Sequence, residues 1–544
     1  MKYIKIGFLL ILQVISNSIF ADTYPRNYNL DIIHYEFDIT LSDATDEIDG
    51  TTFITVSFKT GDTKQIRLDL INKTIERSGK GMVVESVYYE NKKADFSHKN
   101  DALLIQLVTT PKKGETITFK IQYKGVPAGG LKIGPTKYGD RSFFNENWPN
   151  NARHWLPCVD HPYDKATSEF IVKAPSRYKV VSNGLLLEES NLDHDIKLTH
   201  WKQSVPVSSW LFVLGVAEFA VQYVSTFNGK SIETWVYPKD RVNGFHDFAK
   251  PTKQVLEFYS DYVGPYAYEK LANIQSPSVS GGMETSSAIF YAENLVNGKA
   301  DTRLRNVVIH EIAHQWFGNA ITETNWDDAW LSEGFATFFT LLFQENAYGH
   351  DEYIAGLKNA KKAVYNYAKK DSTFSIVSDR SAETGPVTSS ITYQKGAWVL
   401  HMLREMIGHD NFRKGIQSYY TKYMNANATT ADFIYEMEMV SKKELKTFFK
   451  QWLYQPDNLK LLANWHYDEA SKQVVMNLKQ IQSTGYVFDF PLEVEIFDSV
   501  KNTAELIKLN INSKESSIPI KCNGNPTSVR LDPKTNLLAE ITIQ

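Results

Sequence analysis

The apolar residues of this chain change their spacing twice, and that change constrains its layout more than any other feature. From Asp22 to Tyr223 they alternate in short runs, YEFDITL, TTFITVSF, KQIRLDL, ETITFKIQY and KATSEFIV, broken by Gly, Asn, Asp and Pro. A period of two buries one face of a strand, so this part is expected to be an all-β domain. One further strand-like run, SIETWVY, precedes a change near Gly244, where HDFAKPTKQVLEFYSDYVG takes up the helical period. Helical stretches then continue to about Tyr454. From Leu459 to Gln544 the period returns to two (KQVVMNLKQI, PLEVEIF, AELIKLNI, LLAEITI), which predicts a small β-sandwich. The expected fold is multi-domain α+β: a β domain over 22–223, a mainly α domain over 224–456 and a C-terminal β-sandwich over 457–544. At 544 residues the chain has room for three such units.

Composition narrows the function classes. A net charge of -4 argues against a nucleic-acid binder, whose phosphate-tracking surface shows as a basic excess. With 42% hydrophobic and 22% charged residues, the chain is neither disordered nor a polytopic membrane protein. Cys158 and Cys522 are its only cysteines, so large apolar cores rather than a disulfide framework must hold it together. Residues 1–21 place Lys2 and Lys5 before an apolar run from Ile6 to Ile15 and end on small and polar residues at Ala21, the pattern of a secretory signal peptide. That run is too short to span a bilayer core of about 30 Å. The expectation is an exported protein, periplasmic or secreted, with no stable membrane insertion of the mature chain.

The stretch VVIHEIAHQWFG, residues 307–318, belongs to a helix expected from Thr302, with Asp301 as N-cap and Gly318 as its stop. Apolar residues surround it almost completely, so it should be buried, and a buried glutamate between two imidazoles is costly unless it is paired or near a metal. Residues four apart share a helix face, so His310 and His314 can turn their ring nitrogens to one ion. Glu311 lies about 100° further round, close enough to reach a water on that ion. Two histidines leave a tetrahedral catalytic Zn²⁺ one protein ligand short. Glu333, nineteen positions beyond His314 at the start of a second helix, can supply it. The class with a third histidine is excluded, because Phe317 and Ala320 stand where its Gly and His would be.

HEIAHQWFGN followed by WDDAWLSEGFA resembles the aminopeptidase N family of zinc metallopeptidases, which also includes leukotriene hydrolase. GGMET at 281–285, TYQKG at 392–396 and ARHWLPCVDHP from Ala152 agree in order and separation. The resemblance implies a thermolysin-like catalytic domain with one zinc held by His310, His314 and Glu333, and Glu311 as general base. It makes Glu284 the carboxylate that grips the free α-ammonium of a peptide substrate. Gly281 and Gly282 would admit the substrate backbone, and Tyr393 would donate to the oxyanion. Glu146 stands seven residues before Arg153, where many relatives carry Gln, and is expected to be a second amine anchor. Thr285 departs from the Asn usual in the family. About 85 residues follow the helical region and read as strands, where many relatives continue into a helical domain that roofs the site; a more open cleft is expected, and epoxide hydrolysis is not. The implied activity is hydrolysis of the N-terminal peptide bond of peptides with a free amine. An endopeptidase on the same centre and a non-catalytic binding protein are the alternatives.

Overall fold

In the computed structural model the strand Leu30–Thr40 shows how the alternating pattern folds. Ile32 is buried, a bulge between Ile32 and His34 shifts the phase by one, and Tyr35, Phe37 and Ile39 continue the buried row. This strand pairs antiparallel with Ile48–Phe58 and parallel with Ala166–Pro175, at the centre of an eight-stranded sheet. A four-stranded and a three-stranded sheet complete the N-terminal β region. The structure describes residues 22–249, 251–377, 387–498, 502–522, 524 and 526–544. The signal peptide expected over 1–21 lies outside the described residues.

The middle region opens with a sheet rather than a helix. Strand Ala220–Phe227 straddles the expected boundary at 223 and pairs with Lys230–Val236, followed by Lys270–Ser276, Ala288–Ala292 and, at the edge, Gly282–Met283. All seven residues of Lys270–Ser276 are buried, so the strand has no alternation by which to recognise it. The first helices are Arg241–Ala249 and Pro251–Tyr262, the first beginning three residues before Gly244. Asp301 caps the next helix as expected, its carboxylate accepting from Leu304 N at 2.9 Å. That helix runs Thr302–His314 and stops four residues short of Gly318.

Buried polar contacts are among those that join the regions. Lys165, from the β region, buries its ammonium and donates to the carbonyls of Asn319 (3.0 Å) and Ala320 (2.9 Å), in the turn after the histidine helix. At the far end, His401 bridges Tyr353 Oη (2.8 Å) and the carbonyl of Thr535 (3.0 Å), which ties the helices to the C-terminal region. That region holds a four-stranded and a three-stranded sheet, whose alternating residues Leu461, Met476, Leu492 and Val494 are buried. No helix among the described residues is long and apolar enough to cross a membrane.

Candidate metal centre

The histidine helix packs against the helix Trp330–Tyr348, which begins with Glu333 in its first turn. On its other contact the Glu333 helix needs glycine where it crosses the later helix Gly396–Ile407: a Cβ on Gly334 would stand 3.0 Å from Gly396 Cα. The result is a triangle of ligand atoms. His310 Nε2 and His314 Nε2 are 3.2 Å apart, and Glu333 Oε2 is 3.4 Å from the first and 3.3 Å from the second. Ligands at 2.0–2.1 Å from a tetrahedral zinc stand about 3.3–3.4 Å from one another, so these three atoms form one face of such a tetrahedron. Glu333 Oε2 is buried and has no hydrogen-bond partner, as an atom reserved for a cation should be.

The neighbours of the triangle fix its chemistry. Because the helix ends at His314, the chain turns so that Phe317 O lies 3.1 Å from His314 Nδ1, with Ser332 Oγ at 3.0 Å. An Nδ1–H donated to that carbonyl leaves the Nε2 lone pair facing the triangle. Gly318, at φ 105°, makes the turn, and a Cβ there would meet Ser332 Oγ at 2.3 Å. Tyr393 sits in a π-helical turn, Ile391–Lys395; its hydroxyl donates to Glu333 Oε1 at 2.6 Å and its ring stacks on His310.

Buried negative charge dominates the electrostatics. Burial raises the carboxyls of Glu284 and Glu311, and the repulsion of Glu284 adds to the shift of Glu311. Burial would raise Glu333 too, yet His314 and the contacts to both imidazoles outweigh it and hold this carboxyl low. Burial alone would lower His314; Glu284 and Glu333 reverse that and push it up to about 10. Three buried carboxyl groups around two imidazoles thus create a demand for positive charge, which a divalent ion on the triangle would meet.

Glu284 and Glu311 lie on either side of this demand. One oxygen of each and a ring nitrogen of His314 fall within 4.8 Å of one another. Glu284 follows the edge strand Gly282–Met283; its Oε1 is buried without a hydrogen-bond partner, 4.0 Å from His314 Nδ1. A cavity of about 240 Å³ opens there, and Glu146, Glu284, Glu333, Tyr393 and Gly282 all line it. Gly282 also makes room for Glu311: a Cβ would lie 2.2 Å from Glu311 Oε1. Gly281 faces open space. Thr285 turns inward and donates to Ala288 O at 2.5 Å.

Two models match: the peptidase M1 N-terminal domain over residues 31–211 and the peptidase family M1 domain over 249–452. The chain belongs to peptidase family M1. Similar proteins include glutamyl aminopeptidases of Rattus norvegicus (29% identical over 70% of this chain and 42% of the relative) and Homo sapiens (30%, over 69% and 42%). Probable aminopeptidase 2 of Sulfurisphaera tokodaii is 28% identical over 69% of this chain and 48% of its own length. The M1 chain therefore spans less than half the length of each of these relatives.

The M1 matches cover the histidine helix, the GGMET strand and the Tyr393 turn, and the structure brings residues from all three together. It also shows residues that sequence reasoning passed over. Gln315 Nε2 (2.9 Å) and Asn319 Nδ2 (2.6 Å) both donate to the main-chain carbonyl of Glu284, tying the edge strand to the histidine helix. Both lie inside the quoted HEIAHQWFGN stretch. Two buried amides in an apolar segment are the signal that could have found them.

Proposed function

We propose that this chain is a zinc-dependent aminopeptidase that hydrolyses the first peptide bond of peptides with a free α-amine. The supporting observation is the buried, unpartnered Oε1 of Glu284, a residue that lines a cavity together with Glu333 and Tyr393. A fixed anion at a set distance from the ligand triangle binds an α-ammonium and places one particular carbonyl for attack. Glu146 lines the same cavity and adds a second carboxylate beside the amine site.

His310, His314 and Glu333 would hold Zn²⁺, which when bound polarises a carbonyl as a Lewis acid and lowers the pKa of water. Glu311 takes the proton from the attacking water and passes it to the leaving amine. Tyr393 turns its hydroxyl from Glu333 Oε1 to the oxyanion that develops on the scissile carbonyl, a contact formed only as the reaction proceeds. The unpaired edge of Gly282–Met283 offers main-chain groups to an extended substrate. The glutamyl first residue in the names of two of the relatives is not part of this proposal, because the cavity here is lined by acids. Export as a periplasmic or secreted protein is part of the proposal and rests on the composition of residues 1–21.

The test compares alanyl-coumarin amide with its N-acetylated form, using protein that carries one zinc per chain. Cleavage of the free amine alone is expected. Comparable cleavage of the blocked substrate would make this an endopeptidase and Glu284 incidental.

A further inference from the structure

The cavity beside the triangle carries more negative charge than one α-ammonium neutralises. Glu284 and Glu146 both line it, and no Lys, Arg or His is among its described lining residues. Glu333 Oε2 belongs to the ligand triangle, which leaves the buried, unpartnered Oε1 of Glu284 for the amine. Glu146 uses Oε1 to accept the N–H of Trp148 at 3.0 Å, and that contact orients its carboxylate while leaving the other oxygen free. Trp148 also lines the cavity. Its ring is fixed by edge-on contacts with Trp210 (4.9 Å, 82°) and Trp326 (4.7 Å, 76°), so it forms a rigid wall. Val279 and Met283 add apolar surface.

A long alkyl stem ending in a cation matches this lining: the stem packs on Trp148 and Met283, and the head pairs with Glu146. An acidic side chain would bring a further negative charge into a cavity with no cation among its described lining residues. We propose that this pocket selects a basic first residue, Arg or Lys, and rejects an acidic one, with Glu146 as the specificity-determining side chain. The inference rests on the aminopeptidase reading above and names the substrate class for that same site.

The test is a set of free-amine aminoacyl coumarin amides of Arg, Lys, Ala and Glu, turned over by the zinc-loaded full chain at fixed ionic strength. kcat/KM for Arg should exceed that for Ala about tenfold and that for Glu about 100-fold. Glu146→Gln should shrink the Arg-to-Glu ratio at least tenfold, mainly by raising KM for Arg, and Glu146→Lys should invert it. Binding separates recognition from turnover: Glu311→Gln protein should bind arginine amide at least tenfold more tightly than glutamic acid α-amide by calorimetry. Glu equal to Arg, Ala equal to Arg, or an unchanged ratio in Glu146→Gln would each overturn the proposal while leaving the exopeptidase in place. Failure to cleave any free-amine substrate by protein with one zinc per chain would remove the aminopeptidase reading, and this inference with it.

Discussion

Gly282→Ala is the sharpest test of how Glu311 is placed. The backbone at Gly282 lies outside the left-handed region, so alanine meets no local strain there. Its Cβ, however, would stand 2.2 Å from Glu311 Oε1, 2.3 Å from Cδ and 2.4 Å from Cγ. Ordinary contact begins near 3.4 Å, so the carboxylate must retreat by about 1.2 Å. All three close atoms belong to one side chain, and a rotation of its last bond cannot relieve the Cγ contact; Glu311 must change rotamer. The three atoms nearest that Cβ all belong to Glu311 and none to the ligand triangle, so the triangle is expected to stay in place. A displacement of about 1 Å in a group that moves a proton costs on the order of 100-fold in rate, or about 2.7 kcal/mol. The expected result is therefore a kcat about 100-fold lower with one zinc per chain retained and KM changed little. A double-mutant cycle gives the decisive reading: if alanine acts only through Glu311, then adding Gly282→Ala to Glu311→Gln costs almost nothing more. Wild-type kcat in Gly282→Ala, or a full additive loss in the double variant, refutes the assignment of Glu311 as the base that Gly282 accommodates.

Other outcomes follow from neighbouring contacts. Asn319→Ala removes the 2.6 Å bond to Glu284 O but leaves that from Gln315, so KM for a free-amine substrate should rise up to about tenfold while kcat holds; a fall in kcat alone would refute it. His314→Ala leaves two ligands, so elemental analysis should find under about a tenth of a zinc per chain, whereas Glu311→Gln should keep its zinc and lose nearly all activity. In the β region, burial, with repulsion from Asp31, pushes the Asp164 carboxyl from 3.8 up to about 8. The folded chain thus holds a proton that the unfolded chain releases between about pH 4 and 8, and stability falls as pH rises across that window. Asp164→Asn removes the slope, so its thermal midpoint should rise above wild type by a few degrees at pH 8 and by almost nothing at pH 4; a constant gap would refute it.

Legibility in the sequence followed the physics of each element. Strands with one buried face, such as Leu30–Thr40, declare themselves by alternation. Lys270–Ser276 is buried on both faces and has no such signature, and Gly282–Met283 is too short to carry one. The ligand triangle was readable because helical spacing aligns His310 and His314 without help from the rest of the chain. Glu284 and Glu146 were not readable from spacing: they reach the same cavity from segments well over a hundred residues apart, and only the resemblance pointed to them. The π-helical turn that carries Tyr393 was missed as well; it packs against the Glu333 helix, and no local pattern of the sequence marks it.

The coupling between those distant segments is made by the main chain, and this bears on how a fixed cleavage register can arise. Glu284 has no hydrogen-bond partner at Oε1 to hold it in position. Its carbonyl is held instead by Gln315 and Asn319, one residue and five residues beyond His314, so the anion's distance from the ligand triangle is set within a single hydrogen-bonded unit. Lys165 then clamps the carbonyls of Asn319 and Ala320 from the β region, on whose side Glu146 also sits. Glu284 and Glu146 are thereby referred to the same turn, one through hydrogen bonds from two side-chain amides and one through the domain that supplies the lysine. A carboxylate oxygen without a hydrogen-bond partner, on a main chain held by two amide side chains, keeps its capacity for a substrate cation while its place relative to the triangle stays constant. On this view a loss of the Lys165 clamp should blur the choice of bond before it weakens metal binding, because the triangle is complete without it.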